Sequence, residues 1–575
     1  MRRWDDGVMA DGEALFPSAN ASAGDDEWGR VAADVRAVPG GTVPAGQPAV
    51  SPGMPVARRP GSRRRAPAEE RGWSGWLLLA VLVVQALLSV RLVRADTAYA
   101  DEATYLWAGH LEWAHLLHGA PIPPFPAYFS GAPVIYPPLG AVADSIGGLA
   151  GARVLSLVFM LGATVLLWGT ARKLFGRRAA FFSAALFAVL GPTLHLGAFA
   201  TYDALQTVLV ALAAWCVVSA SDGMRGTGWM IAAGSALAVA NAAAYSSIVF
   251  DLVVLMLALL TAVPSGGRVA ARRCATLLIT VAVLMTVAAL LGGSDYFAGF
   301  ERTTVAPAPN GGSPLTVLAH SWSWAGLVAV LAVCGVFLSW AGRQGWAQTW
   351  LLAVLAAAAV LGPLNQARLH DIASLDEHVG LGAWFAAIAA GYAVDRFITA
   401  APAGRMRAVT SGACVVALAF PVTLGTSQSW ALATGWPNAS SFIAILRPLA
   451  DHGHGRLLVE DASIARYYLP AGSQWQRWSS TRNIVLPSGA FTGGPASTAS
   501  VASGGNPGVY AEFITHGYFS IIALNFADTT ALDHRIADQL HRDPRYSTID
   551  VVPYGIEVPP LGKGTYVIWR YEPKS

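Results

Sequence analysis

Two adjacent carboxylates, Asp101 and Glu102, lie in the stretch ADEATY (100–105), shortly after the first long apolar run of the sequence. An acid at that position is either ordinary interfacial polarity or a group that takes a proton from a substrate at the membrane surface. If residues 98–118 form an interfacial helix, about 100° of rotation per residue places four polar side chains on one arc: Asp101, Thr104, Glu112 and His115. Glu102 points away from this arc. The segment alone leaves a solvated helix face and a catalytic acid both open.

The elements that must position these acids are membrane helices. The chain has 575 residues, of which 54% are hydrophobic and 13% charged, whereas soluble domains have about 25% charged residues. Repeated apolar runs of about 17–20 residues are each long enough to cross a bilayer core. Eleven such runs are predicted, near 73–92, 152–170, 179–195, 202–220, 229–245, 246–263, 275–291, 322–340, 349–363, 381–395 and 408–424.

The charge pattern orients these runs. Residues 1–72 are rich in Gly, Pro, Ala and Arg, which predicts a disordered tail. Arginines concentrated at the end of this tail predict that it is cytoplasmic by the positive-inside rule. Most Lys and Arg of the later loops then also fall on the cytoplasmic side, although they were not used to choose the runs. An odd number of spans places the C-terminal part outside the cytoplasm.

The C-terminal part, residues 426–575, alternates strand-like with helix-like segments. GRLLVED (455–461) precedes the helical ASIARYYL, and YFSIIALNF (518–526) precedes ALDHRIADQLHRD. This alternation predicts a small α/β domain with some parallel strand pairing. The sequence therefore predicts an α-helical polytopic membrane protein with about eleven transmembrane helices, over residues 73–425, and a C-terminal extracytoplasmic α/β domain.

Two further features lie on the same predicted side as Asp101. YPPLG (136–140) is expected to form a rigid, helix-breaking turn, because proline fixes φ and restricts its predecessor. GAFATYDALQTVLVALAAW (197–215) places Asp203 at the outer end of a span. An ionisable group at a span end is compatible with interfacial polarity as well as with function.

The order of these motifs resembles the multi-spanning GT-C glycosyltransferases, especially the family 39 group of protein O-mannosyltransferases and lipid A aminoarabinose transferases. The motifs are the acidic DE-A-x-Y after the first span, PPLG in the same loop, the inner turn ARKLFGRRAA (171–180) and the outer-end YDAL. The resemblance covers residues 73–425. It implies transfer of a sugar from a polyprenyl phosphate to an acceptor on the non-cytoplasmic face.

The resemblance also implies roles for individual residues. Asp101 matches the acid that is the usual candidate for the base, and attack opposite the phosphate would invert the anomeric centre. Glu102 would orient the acceptor or Asp101, and Asp203 would support the same pocket. Residues of the two loop motifs would bind substrate: Tyr105, Tyr136, Pro137 and Pro138.

The phosphate of such a donor needs a cation or several hydrogen-bond donors as it leaves. The loop NQARLHDIASLDEHVGLGAWFAA (365–387) offers Arg368 as the first candidate and His378 as the second, with His370 nearby. Each is also compatible with a snorkelling or interfacial side chain. Related sequences often have a Lys where Glu377 stands, which departs from the expected pattern.

Other classes of site have little support. The four cysteines, Cys216, Cys274, Cys334 and Cys414, lie in or beside apolar segments without C-x-x-C spacing, so a disulfide or thiolate metal site is not expected. The sequence requires no cofactor, and it shows no spacing such as H-E-x-x-H, although the resemblance leaves a divalent cation possible. The net charge of +3 is too small to indicate a nucleic-acid partner.

The sequence thus predicts an integral-membrane glycosyltransferase in a bacterial cytoplasmic membrane. Its partners would be a polyprenyl-phosphate-linked sugar, membrane lipids, and an acceptor that is an envelope glycan, a lipid or an exported protein. A transporter or lipid flippase is the alternative from another class, but the two similar halves typical of transporters are not visible. A receptor or scaffold would explain the C-terminal domain but not the acidic loop.

Overall fold

The apolar runs of the sequence form helices, because a chain in lipid must satisfy its backbone hydrogen bonds within itself. The structure, a computed structural model, describes residues 68–127, 129–220, 224–305, 312–372, 374–452, 455–469, 474–481, 484–485, 500–501, 507–527, 529–558 and 562–573. The predicted tail (1–72) lies almost wholly outside these residues. Everything described belongs to one unit, from Ala66 to Ser575.

The first ten helices begin at Ala68, within the last residues of the predicted tail. They are α1 Ala68–Val90, α2 Ala100–His118, α3 Tyr136–Phe175, α4 Arg177–Ala188, α5 Gly191–Leu196, α6 Tyr202–Ser219, α7 Met224–Ala243, α8 Ile248–Ala262, α9 Gly267–Gly292 and α10 Ser294–Phe300. The following six are α11 Pro314–Ala341, α12 Trp346–Leu369, α13 Leu375–Ala400, α14 Arg405–Ala417, α15 Ala419–Ala433 and α16 Ser440–His452.

Eight helical segments within the described residues are long and apolar enough to cross a membrane, and α1 adds a shorter apolar helix over Gly75–Val90. The eight are Tyr136–Phe175, Tyr202–Ser219, Tyr245–Ser265, Gly267–Gly292, Pro314–Ala341, Trp346–Leu369, Leu375–Ala400 and Arg405–Ala433. A multi-pass α-helical membrane protein is thereby confirmed. Each of the eleven predicted runs lies in one helix or in a pair of consecutive helices, while the count of eleven spans stays a prediction.

Helix α13 lies at the centre of the bundle and is buried on most of its surface. Small residues let its neighbours approach closely. A Cβ added at Gly382 would come within 2.5 Å of the Ala358 carbonyl oxygen on α12, and one at Gly335 of α11 within 2.6 Å of the Ala389 carbonyl oxygen. Such small-residue contacts are a usual basis of helix association in membranes.

The expected turn at YPPLG is wrong, because Tyr136 begins the 40-residue helix α3 and the prolines occupy its first turn. The first helical positions need no backbone donor and suit the fixed φ of proline, so the same residues start a helix. The helix is instead interrupted at Gly147 and Gly148, where Gly148 has a φ of 61°.

The C-terminal part is the predicted α/β domain. Its strands and helices are β1 Arg456–Val459, α17 Ala462–Tyr468, β2 Trp478–Ser480, β3 Ile484–Val485, β4 Ser500–Val501, α18 Pro507–Thr515, β5 Phe519–Leu524, α19 Thr530–Arg542, β6 Tyr546–Val558 and β7 Gly562–Tyr571. Five strands form one sheet in the order β2-β1-β5-β7-β6, in which β1 pairs parallel with β2 and β5, and β7 pairs antiparallel with β5 and β6. The predicted partly parallel sheet is confirmed.

Candidate active site

Asp101 lies in the first turn of α2, the helix that the sequence predicted over residues 98–118. Its side chain is half-buried, and an acid in a first turn is stabilised by the unpaired N–H groups and the dipole of the helix. Helix α2 is not among the segments long and apolar enough to span a membrane. It presents Asp101 from a helix that packs against α3 and α17.

Glu102, the next residue, is fully buried and forms an ion pair with Arg153 of α3. One carboxylate oxygen accepts from Arg153 Nε at 2.8 Å and from the Ala200 N–H at 2.8 Å. The other accepts from Arg153 Nη2 at 2.6 Å and from the Tyr99 N–H at 3.0 Å. Both oxygens are thus engaged inside the protein, and Glu102 joins the start of α2 to α3 and to the segment before α6.

Arg153 is a residue that the sequence analysis missed. Beyond Glu102, its guanidinium donates to the carbonyl oxygens of Val93, Asp96 and Thr97 at 3.1, 3.0 and 3.1 Å. It therefore ties the chain before α2 to α3. The available signal was a lone basic residue inside an apolar run, which is costly in a membrane unless it is paired.

Asp203 lies in the first turn of α6 and is 4% exposed. Thr201 Oγ1 donates to Asp203 Oδ2 at 2.8 Å, which fixes the carboxylate at the helix start. The adjoining segment also carries the Ala200 N–H that binds Glu102. The starts of α2 and α6, which carry Asp101 and Asp203, are therefore joined through the buried carboxylate of Glu102. Asp101 and Asp203 also interact electrostatically.

Two further carboxylates, Asp376 and Glu377 from the first turn of α13, lie beside Asp101 and Asp203 and interact with them electrostatically. These four residues are called the acidic cluster below. His195 Nε2 lies 3.7 Å from Asp376 Oδ2, and both residues are more than nine-tenths buried. Asp203 and Asp376 are buried, whereas Asp101 and Glu377 are half-buried. Grouped, partly desolvated carboxylates favour bound protons, cations or hydrogen-bond donors.

A metal-binding arrangement is not evident in this cluster. Among the residues that the structure describes, no group of three or more His, Cys, Asp and Glu side chains is placed to hold a metal ion.

Phenol groups line the side of the acidic cluster that faces α2. The Tyr105 ring contacts the Tyr202 ring at a centroid distance of 4.8 Å and Tyr136 edge-on at 6.5 Å. Tyr202 also makes a hydroxyl–hydroxyl contact with Ser130. Burial raises the pKa of Tyr105 well above its ordinary value, so this phenol keeps its proton and can donate it in a hydrogen bond.

The YPPLG residues pack α3 against α2. A Cβ at Gly109 would lie 1.9 Å from the Pro137 carbonyl oxygen, so only glycine permits this approach. Trp113 Nε1 donates to the Pro138 carbonyl oxygen at 3.0 Å. Tyr136 and Pro137 are buried here and Pro138 is half-buried.

The residues expected to bind phosphate lie near the connection between α12 and α13. Arg368 is exposed and donates to Asn365 Oδ1 at 3.2 Å, and His370 is exposed at the C-cap of α12 with a φ of 57°. His378 is half-buried and packs on Gly362. From this segment Asp376 and Glu377 reach the acidic cluster.

A largely apolar cavity of about 370 Å³ lies on the other side of the segment 129–132. It is lined by Ala132, Asn241, Ala242, Tyr245, Ile248, Met285, Thr286, Ala288, Ala289, Tyr296, Phe297 and Phe300. The Tyr245 N–H donates to the Ser130 carbonyl oxygen at 2.9 Å, and Ser130 contacts Tyr202. Ser130 thus contacts both Tyr245, which lines the apolar cavity, and Tyr202, one of the phenols.

Known proteins share both sequence and fold features with this chain. Residues 145–291 match the family model described as dolichyl-phosphate-mannose-protein mannosyltransferase. The structure as a whole resembles solved GT-C glycosyltransferases, and the predicted resemblance to that superfamily is confirmed. No curated protein sequence matches this chain significantly.

The structural relatives include ArnT from Cupriavidus metallidurans in the apo state, with 15% identity, a TM-score of 0.53, and coverage of 87% of this chain and 98% of ArnT. ArnT bound to undecaprenyl phosphate gives 15% identity and a TM-score of 0.52, covering 86% of this chain and 98% of ArnT. The apo oligosaccharyltransferase of Archaeoglobus fulgidus has 13% identity and a TM-score of 0.50, over 85% of this chain and 74% of that protein. At these identities the likeness establishes the GT-C fold. It gives the transporter alternative no support.

Proposed function

We propose that this protein transfers a sugar from a polyprenyl-phosphate donor to an acceptor hydroxyl. The observation that carries the proposal is the juxtaposition of the half-buried Asp101, within the acidic cluster, and the apolar cavity behind Ser130. A lipid-phosphate donor needs an apolar site for its chain beside a polar site for its head group. ArnT, which has this fold, is known in complex with undecaprenyl phosphate.

The cavity suits the part of the isoprenoid chain closest to the head group. Its volume of about 370 Å³ lies in the range of about 300–1,000 Å³ for small-molecule sites. Apolar side chains make most of its lining, and the rest of a long chain would extend into lipid. The head group would then lie toward Ser130 and Tyr202, next to Asp203.

In the proposed reaction Asp101 accepts the proton of the acceptor hydroxyl as its oxygen bonds to the anomeric carbon. The bond between that carbon and the phosphate oxygen breaks, and its electron pair leaves with the polyprenyl phosphate. Attack from the face opposite the phosphate inverts the anomeric configuration. Asp203 and Glu102 hold the geometry of Asp101.

Substrate contacts would come from the phenols and from the α12–α13 connection. Tyr105 would donate a hydrogen bond to the sugar, and Tyr136, Pro137 and Pro138 would shape the wall behind it. Arg368 remains the first candidate to neutralise the leaving phosphate, followed by His378 and His370. Arg368 is exposed, so this role requires its side chain to turn toward the head group.

The proposed location is a bacterial cytoplasmic membrane, with residues 1–72 in the cytoplasm and the C-terminal domain (426–575) outside. The distribution of Lys and Arg among the loops supports this orientation. The acceptor would then be an envelope glycan, a lipid or an exported protein. A cysteine introduced at Thr530 should react with a membrane-impermeant thiol reagent from outside the cell, and labelling only from the cytoplasmic side contradicts the orientation.

The activity is tested with the purified protein and radiolabelled polyprenyl-phosphate sugars. The donor is chosen from the mass of any lipid that co-purifies with the protein. The expected result is transfer of label to an acceptor, with an anomeric configuration opposite to that of the donor. Retention of configuration contradicts the single-displacement mechanism, and accumulation of unmodified substrate in proteoliposomes without transfer contradicts the enzyme assignment.

A further inference from the structure

The turn immediately before α2 is held from two sides. On the bundle side, Arg153 donates to the carbonyl oxygens of Asp96 and Thr97. On the other side, the contacts come from the segment that leads into the C-terminal domain and from the domain itself. The turn 96–98 therefore lies between the buried Arg153 and the C-terminal part of the chain.

Four hydrogen bonds form the outer contact. The donors Trp436 Nε1 and Asn438 Nδ2 bind the Thr97 carbonyl oxygen at 3.0 Å and Asp96 Oδ1 at 2.7 Å. The Ala439 N–H donates to Thr97 Oγ1 at 3.0 Å. The Ala98 N–H donates to Tyr468 OH of α17 at 2.7 Å. The residues that make this contact from the C-terminal part, here called the clasp, are Trp436, Asn438, Ala439 and Tyr468.

The clasp acts close to Asp101 along the chain. Ala98 is fully buried and lies three residues before Asp101. The first turn of α2 follows at once, because the Ala103 N–H donates to the Tyr99 carbonyl oxygen at 2.9 Å. A shift of the turn therefore moves Asp101 directly, and a misplacement of about 1 Å can lower a reaction rate about 100-fold.

We propose that the C-terminal α/β domain is a positioning part of the active site, in which the clasp fixes the turn 96–98 and thereby the location of Asp101. This inference rests on the proposed function of Asp101. The domain contributes no group to the acidic cluster in this role. It sets the geometry of the group that takes the proton.

The C-terminal domain makes a second contact with the bundle that does not involve the turn 96–98. This contact makes it possible to test whether the domain positions Asp101 or only packs against the bundle. Tyr467, adjacent to Tyr468 on α17, donates to Asp144 Oδ1 at 2.5 Å, and Asp144 Oδ2 binds His110 Nε2 at 2.7 Å. His110 follows Asp101 by nine residues, which is about 180° around a helix, so this contact meets the opposite face of α2. Losing it weakens docking without touching the turn.

The experiment compares Tyr468→Phe with the matched control Tyr467→Phe in the full-length protein. Each change removes one hydroxyl from the same short helix and keeps the ring. For Tyr468→Phe we expect kcat to fall about tenfold or more with an unchanged KM for the donor, since the donor site is untouched. For Tyr467→Phe we expect kcat within about twofold of the unmodified protein.

Hydrogen–deuterium exchange of the peptide covering residues 96–103 provides a second measurement that does not depend on activity. Tyr468→Phe should speed exchange there, whereas Tyr467→Phe should not. If Tyr468→Phe fails to fold, Asn438→Ala replaces it. This change removes the donor to Asp96 Oδ1 together with the acceptor of the Ser440 N–H, and the same outcomes are expected.

Each outcome decides the matter. Equal losses of kcat in the two tyrosine variants, or unchanged kcat in Tyr468→Phe, overturn the inference. If the unmodified protein transfers no sugar, the proposed function fails. In that case the exchange measurement still tests the clasp, and unchanged exchange at 96–103 in Tyr468→Phe overturns it independently.

Discussion

The Glu102–Arg153 pair gives the sharpest structural prediction, because both side chains are at most 1% exposed. Each oxygen of Glu102 accepts one hydrogen bond from Arg153 and one from a backbone N–H. In Glu102→Gln, the amide NH₂ group replaces one of these oxygens in either orientation, and it then faces an Arg153 N–H and a backbone N–H, both of which are donors. The change also leaves the guanidinium charge buried without its partner.

Breaking one partner of such a buried pair costs about 3–5 kcal/mol. At about 1.36 kcal/mol per factor of ten, the folding equilibrium should shift by about 10²- to 10⁴-fold. Replacing both partners removes the stranded charge, so Glu102→Gln combined with Arg153→Met should cost less than the sum of the single changes. A coupling energy above about 1 kcal/mol is expected for residues in direct contact.

The assay is unfolding of the purified protein and its three variants in detergent, followed by helical circular dichroism. A cost below about 1 kcal/mol for Glu102→Gln, the size typical of exposed pairs, would refute the assignment of this pair as the buried connection between α2 and α3. Strict additivity in the double variant would refute their direct contact.

Three other predictions follow from the geometry. Gly109→Ala should destabilise the protein by about 1–3 kcal/mol, because its Cβ would meet the Pro137 carbonyl oxygen. The control Gly412→Ala, whose Cβ would have no atom within 4 Å, should leave the stability unchanged. Equal melting temperatures of the two variants would contradict this packing of α2 on α3. Burial raises the pKa of Asp96 above its ordinary 3.8, so the folded protein binds the proton of the Asp96 carboxyl more tightly than the unfolded chain does. The protonated carboxyl therefore contributes to stability at low pH, and this contribution is lost as the pH rises through the folded pKa. Asp96→Asn should flatten that part of the pH–stability curve between neutral pH and 3.8, and an unaltered curve contradicts it. Ala289→Phe should fill the apolar cavity and raise KM for long-chain donors but not for a short-chain analogue, while equal effects on both donors would place the chain elsewhere.

Much of the helical fold was predictable because period and length are properties of the local sequence. The apolar runs became helices, and the alternation after 455 became a partly parallel sheet. The run 179–195 divides into α4 and α5 because Pro192 lacks the backbone N–H that would continue α4. Helix α5 instead begins after the extended Leu190, with Pro192 in its first turn. The misjudged YPPLG shows that proline interrupts a helix interior but begins a helix readily.

The site was only partly predictable, since its contacts join residues that are distant in sequence. Asp101 and Asp203 share a predicted side of the membrane, and the resemblance to the GT-C glycosyltransferases implied one pocket for both. Glu102 and Arg153 are 51 residues apart, and periodicity does not indicate which buried acid meets which buried base. Asp376 was not among the predicted site residues, and His195, whose Nε2 lies 3.7 Å from Asp376 Oδ2, lies in another helix.

The central claim is that Asp101 takes the proton of the acceptor. The most direct measurement compares single-turnover sugar transfer by Asp101→Asn and by Glu112→Gln. Glu112 is a half-buried acid on the same helix face about three turns away. The account predicts that Asp101→Asn lowers the transfer rate at least about 100-fold with donor binding retained, and that Glu112→Gln stays near the unmodified rate. A folded Asp101→Asn protein that transfers sugar at the unmodified rate would contradict it.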